Sequence, residues 1–175
     1  MRILGLDPGL RHTGWGLIEK NGNSYVFIAA GVINPDPKAS LSVRLALLHR
    51  SLTEIIETYR PEEVGIEETF VNKNPNSTLK LGQARGVVMC IPGLFNIPTF
   101  EYTPNHIKKM VVGVGHAAKD QVDLMIRKVL KNIPQDIPPD VSDALAIALC
   151  HGFNYQYSTS ANKVLISCPD LKHVQ

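Results

Sequence analysis

An Asn-Gly pair at residues 21–22 separates two runs rich in β-branched and aromatic residues, Thr13–Glu19 and Ser24–Asn34. Asn-Gly between such runs is the strongest short-range signal for an antiparallel hairpin. A third run, Arg2–Asp7, precedes them after only a short interval. The chain therefore opens as a meander of three antiparallel strands, which excludes an all-helical bundle and a purely parallel sheet. Its apolar opening, "ILGLDPGLRHTGWG", ends a strand on Asp7 and removes side chains at Gly9, Gly14 and Gly16. Aspartate and glycine weaken a strand, so stability does not account for them.

The remainder alternates helix and strand. Leu41, Leu45, Leu48, Leu52, Ile55, Ile56 and Tyr59 share one helical face, and Pro61 stops that helix. A fourth strand is expected over Glu62–Phe70, a helix from Ser77 to about Met89, and a fifth strand over Thr99–Thr103. Helices follow over Pro104–Val112, Ala118–Leu130 and Val141–Phe153. Three antiparallel strands followed by αβαβα describe an α/β fold with a mixed five-stranded sheet flanked by helices. One domain over residues 1–156 and a loosely held tail over residues 157–175 are expected, since the tail lacks periodicity. A net charge of +2 neither demands nor excludes a polyanionic partner. The odd number of cysteines, Cys90, Cys150 and Cys168, without a C-x-x-C pair, reads as reduced thiols in a cytosolic protein. Neither a signal peptide nor a run of membrane-spanning length is visible, and a cytoplasmic location with no membrane partner is the expectation.

Four carboxylates stand out. Asp7 ends the first strand, where the active sites of such sheets lie. Glu67 shares a strand face with the side-chain-free Gly65. By itself it reads as a solvated strand end or as a pocket lining. Asp140 and Asp143, in "DVSDALAIAL", lie at i and i+3 at the start of the last helix. Asp140 as N-cap and Asp143 in the first turn would both favour the helix, so capping and chemistry are open alternatives. If all four converge, their repulsion requires a cation. Mg²⁺ held by a few carboxylates plus phosphate is the usual solution, and two such ions about 4 Å apart promote in-line displacement at phosphorus. The six histidines lack metal-site spacing, and His116 reads as a loop residue.

A phosphate substrate calls for cations. Lys108, Lys109 and Lys119 bracket the Gly113–Gly115 stretch, while Lys80 and Arg85 lie in "LKLGQARG". Singly each reads as solvated surface; flanking an acidic pocket, they would hold a phosphodiester backbone. Phe70 opens the polar loop containing Asn72 and Lys73 and is either an edge of the core or a wedge that stacks on a base. Gly82 and Gly86 at i, i+4 allow another helix, from this chain or a second subunit, to approach closely.

Six motifs, "ILGLDPG…TGWG", "IEETF", "NSTLKLGQARG", "FEY", "VVGVG…K" and "SDALAIAL", occur in an order that resembles the RuvC family of Holliday junction resolvases. The resemblance runs from about residue 2 to residue 153. It implies a ribonuclease-H-like fold and a homodimer that nicks two strands of like polarity at a four-way DNA junction, in DNA recombination and repair. Mg²⁺ or Mn²⁺, two ions per subunit, would be the cofactor. By position Asp7, Glu67, Asp140 and Asp143 match the acidic tetrad, Phe70 the aromatic wedge, and Lys108 and Lys119 basic residues of DNA contact and catalysis. The "LKLGQARG" helix lies where the family makes its dimer contact, and the branch-migration proteins RuvA and RuvB are associated partners. Other readings are a ribonuclease-H-like nuclease acting on another nucleic acid, a junction-binding protein without catalysis, and an actin-like ATPase or sugar kinase. The last needs two such domains, and 175 residues supply one.

Overall fold

A computed structural model describes residues 1–68 and 75–158, with side chains through residue 154. Three strands, β1 (Arg2–Asp7), β2 (Thr13–Asn21) and β3 (Ser24–Ile33), form the antiparallel meander. The β2–β3 turn takes two residues, and Gly22 supplies the left-handed φ of 61° that closes it. Helix α1 (Leu41–Tyr59) starts at Ser40, whose hydroxyl accepts from the Val43 amide, and ends at Arg60 before Pro61. Strand β4 (Glu63–Glu67), helix α2 (Pro75–Leu94) and strand β5 (Thr99–Tyr102) follow, then α3 (Pro104–Val112), α4 (Lys119–Val129) and α5 (Pro139–Ser158).

The expected five strands form the sheet, and a two-residue edge strand, β6 (Leu130–Lys131), extends it to the order β5-β4-β1-β2-β3-β6. β6 pairs in parallel with Tyr25 and Val26, taking Leu130, which periodicity placed at the end of α4. β1, β4 and β5 run parallel, as the α1 and α2 crossovers require.

Alternation along the strands divides the interior in two. Leu4, Leu6, Leu17, Val64 and Ile66 face α1 and α2, where Leu48, Leu52 and Ile56 complete one core. Ile3 and Ile18 face α3, α4 and α5 and join Ile107, Ile126, Leu145 and Leu149 in the other. Burying each such side chain contributes roughly 1.5–3 kcal/mol.

The boundaries of α2 and α5 differ from the periodicity. α2 runs through Pro92 to Leu94, five residues past Met89. Pro92 leaves only Gly93 and Leu94 to complete the helix, and its ring is buried. α5 begins at Pro139, with the Pro138 carbonyl accepting from the Val141 and Ser142 amides. Asp140 is thus inside the first turn and is not the N-cap, because proline is favoured at the first helical position. α5 also continues to Ser158, past the expected domain boundary at residue 156, while residues 159–175 lie outside the described residues. Among the described residues no helix is long and apolar enough to cross a membrane.

Candidate active site

Midway along the central strands the α5-facing positions carry no side chain. Gly5 of β1 pairs with Gly16 of β2 on one side and Gly65 of β4 on the other, so three glycines form a row across the sheet. α5 lies in this trough. A Cβ at Gly5 would overlap the Ala144 carbonyl oxygen, and one at Gly16 would come within 2.7 Å of the Leu145 side chain. Two register positions further, Gly14 pairs with Asp7, and a Cβ there would overlap the Asp140 carbonyl. These glycines let α5 descend until its first turn reaches the strand ends.

That descent brings the carboxylates together. Asp7 ends β1 and Glu67 ends the adjacent parallel β4, one step past the Leu6–Ile66 pair. Their side chains hydrogen-bond to each other. Burial, then the Asp143 and Asp140 charges, hold the Asp7 carboxyl above the usual carboxylate range, against the opposing Glu67 bond and the Lys119 charge. Burial, then the charge and hydrogen bond of Asp7 and the charge of Asp143, push Glu67 up as well, with Lys119 opposing. The pair therefore holds a shared proton more tightly than isolated carboxylates would.

Lys119, at the start of α4, bonds Asp143 Oδ2 at 3.0 Å. Asp143 foremost raises the Lys119 ammonium's pKa. A second contact ties these helices together: Ser142 Oγ donates to Asp123 Oδ1 of α4 at 3.1 Å, and Asp123 also accepts from Arg127 Nε at 2.7 Å.

The donor set suits a hard divalent ion: four carboxylates from two strand ends and one helix, partly withdrawn from water, with a shared proton a cation can displace. Among the described residues, no group of three or more acidic, histidine or cysteine side chains stands in ready ligating geometry.

The remaining expected residues are dispersed. Lys108 and Lys109 lie on α3, in the same layer as α4 and α5, with Lys109 exposed. Lys80 is exposed on α2, and the Arg85 guanidinium pairs with Glu101, fastening α2 to β5. Phe70, Asn72 and Lys73 lie outside the described residues. Gly82 and Gly86 face outward: among the described residues, no atom beyond their own helix and chain neighbours lies within 4 Å of a Cβ added to either.

Periodicity and motif spacing missed a polar network at the far end of α5. His151 is buried; Nε2 lies 2.5 Å from Glu63 Oε2 and Nδ1 lies 2.6 Å from the Tyr102 hydroxyl. The only available sign was alternation, which puts Glu63 on the same β4 face as Gly65 and Glu67.

A family model for crossover junction endodeoxyribonuclease RuvC matches residues 3–151. A protein of that name from Rhodospirillum rubrum is 54% identical over 151 residues, covering 86% of this chain and 89% of the relative. Another from Rhizobium johnstonii is 48% identical over 154 residues, covering 88% and 90%. A structure of Thermus thermophilus RuvC in complex with a Holliday junction substrate superposes with a TM-score of 0.84 at 32% identity, covering 91% of this chain and 97% of that one. Another structure of Thermus thermophilus RuvC gives a TM-score of 0.80 at 33% identity, covering 91% and 98%. The ribonuclease-H-like fold expected above is thereby borne out.

Proposed function

The chain belongs to the RuvC family of crossover junction endodeoxyribonucleases, and from that premise we propose how its own residues resolve a four-way DNA junction. Asp7, Glu67, Asp140 and Asp143 hold the divalent cations, and the reaction is hydrolysis of a phosphodiester. When bound, Mg²⁺ or Mn²⁺, two ions per subunit, supplies activation of the attacking water and charge compensation at the leaving 3′ oxygen. The observation that carries this reading is the Asp7–Glu67 hydrogen bond across adjacent strand ends, with the charges of Asp143 and Lys119 acting on both.

Each residue has a separate task. Asp7 and Glu67 sit on the sheet, a rigid support that keeps two oxygen donors at the floor of the site. Asp140 and Asp143 close it from α5. Their charges are tolerable because Lys119 stands beside Asp143, and the same ammonium is placed to receive a phosphate oxygen of the cleaved strand. Lys108 and Lys109 would hold phosphates alongside, positioning the backbone without reading sequence. Phe70, Asn72 and Lys73 would meet unpaired bases at the crossover. Lys80 and Arg85 complete the proposed contacts, Arg85 by exchanging its bond to Glu101 for one to phosphate.

Paired symmetric nicks require two active sites. The exposed face of α2, with Leu79 64% exposed beside Gly82 and Gly86, is where a second copy would pack. We place the dimer there, acting in the cytoplasm in DNA recombination and repair, with RuvA–RuvB as the candidate branch-migration partner.

The test is incision of a labelled mobile four-way junction beside a matched linear duplex, with Mg²⁺ and with EDTA. Paired, metal-dependent nicks confined to the junction are expected, and Asp7→Asn abolishes them while junction binding is retained. Equal cutting of both substrates would replace this reading with that of a general nuclease. Retained cutting in Asp7→Asn would remove the carboxylate site.

A further inference from the structure

The glycine trough that brings α5 to the strand ends has a mechanical consequence. Helices on sheets normally resist sliding because side chains from both surfaces interlock. Gly5, Gly16 and Gly65 offer no such projections, and the helix meets them partly with the small residues Ala144 and Ala148. Apolar contact is non-directional and sets depth better than it sets slide or rotation. Yet Asp140 and Asp143 depend on both.

At its first turn α5 is bonded, among the described residues, only to α4, through Ser142–Asp123 and Asp143–Lys119; its side-chain bonds to the sheet lie further along the helix. His151 lies eight residues beyond Asp143, about 12 Å along the axis. A carboxylate only accepts, so Nε2–H of His151 donates to Glu63 at 2.5 Å. Burial keeps the Tyr102 hydroxyl protonated, and it donates to Nδ1 at 2.6 Å. Phe100 covers the imidazole, with ring centroids 4.7 Å apart. The next residue, Gly152, accepts at its carbonyl from the Tyr25 hydroxyl at 2.9 Å and from Lys20 Nζ at 3.1 Å. Both partner strands of His151 lead to the site. Glu63 begins the strand that Glu67 ends, and Tyr102 is the register partner of Glu67 on β5.

We propose that Tyr102, His151 and Glu63 are positioning residues for the metal site: this buried relay fixes the slide and rotation of α5 on its glycine floor and so sets where Asp140 and Asp143 meet Asp7 and Glu67. The inference rests on the carboxylate site proposed above. None of the three residues belongs to that site, and their contribution passes through the helix and through β4 and β5. Partners that orient ligands in other metal sites typically contribute 10- to 100-fold in affinity.

Calorimetric titration of Mn²⁺ into the metal-free protein, without DNA, tests this directly. Tyr102→Phe removes one hydroxyl and preserves the ring, and Glu63→Ala removes the other anchor. Each is expected to weaken Mn²⁺ binding roughly 10-fold. Glu63→Gln keeps an acceptor for Nε2–H and is expected to restore most of the affinity. Junction affinity in EDTA should be unchanged throughout, and circular dichroism should show each variant folded at the titration temperature. Parental Mn²⁺ affinity in both Tyr102→Phe and Glu63→Ala overturns the proposal. So does a loss in Glu63→Gln equal to that in Glu63→Ala, or a loss that follows melting temperature across the set. Failure of the carboxylate site itself is read separately: Asp7→Asn would then bind Mn²⁺ like the parent.

Discussion

Gly14→Ala adds one methyl group at the position where sheet, helix and site meet. Gly14 pairs with Asp7, and its added Cβ would overlap the Asp140 carbonyl oxygen, lying 2.8 Å from the carbonyl carbon and 3.4 Å from Asp140 Cβ. Two effects oppose each other. Alanine in a strand is intrinsically better than glycine by roughly 0.5–1 kcal/mol. Overpacking against backbone costs typically about 1–3 kcal/mol, because α5 must move rather than a flexible side chain. The clash wins, with a net loss of about 1–2 kcal/mol, and for a domain of this size the melting temperature falls by roughly 2–8 °C. Such a loss leaves most domains folded at 25 °C. Activity should suffer far more than stability. Relief of the overlap lifts the first turn of α5 by about an ångström, and a misplacement of that size can cost roughly 10²-fold in rate. The assay is single-turnover cleavage of a four-way junction at saturating Mg²⁺, beside a thermal melt of the same preparation. A variant that melts a few degrees lower and cuts at the parental rate would refute the argument that the bare strand surface exists to seat Asp140.

Further outcomes follow from the same geometry. Asp7 and Glu67 both have folded-state pKa values above their unfolded values, so their contribution to stability is full below the ordinary carboxylate range, near 4, and is lost as pH rises through the raised values. In EDTA the melting temperature should therefore decline across that window, and Mn²⁺ should raise it more at pH 8 than at pH 5.5; equal Mn²⁺ stabilisation at both would contradict a shared, displaceable proton. Lys119→Met should change stability by no more than about 1 kcal/mol, since the ammonium is 78% exposed, yet slow cleavage at least tenfold (roughly 10²-fold for a lost electrostatic donor). A parental rate would leave Lys119 as surface charge. At Gly86→Leu the new Cβ meets no described atom within 4 Å beyond its own helix and chain neighbours, and leucine improves helix propensity, so the subunit should remain folded while sedimentation velocity reports a weakened dimer. An unchanged dimer would move the interface away from α2.

Most secondary structure was legible because it is written locally. The Asn21–Gly22 turn, the apolar stripe of α1 and the proline stops each depend on residues a few positions apart. The candidate site residues were legible for a related reason: Asp7 weakens the strand it ends, Glu67 shares a face with Gly65, and the Asp140–Asp143 pair at a helix start completes a set of four carboxylates that called for a common cause. The hidden parts were non-local. Edge strand β6 forms only because β3 offers an unpaired edge to Leu130, and the proline pair ahead of Asp140 decides its place in the first turn. His151 gives no local sign of its partners, since Glu63 is 88 residues away and Tyr102 is 49.

The sequence by itself determined the three-strand opening, the helices that follow and which carboxylates are the candidate oxygen donors, because periodicity and side-chain chemistry are properties of neighbouring residues. Only the tertiary structure decided that Gly16, Gly5 and Gly65 fall in one row, that α5 settles into it, and that Asp7 and Glu67 end within a hydrogen bond of each other. Strand register and helix depth are set by which distant surfaces can approach most closely. That approach exists only after the whole chain has folded.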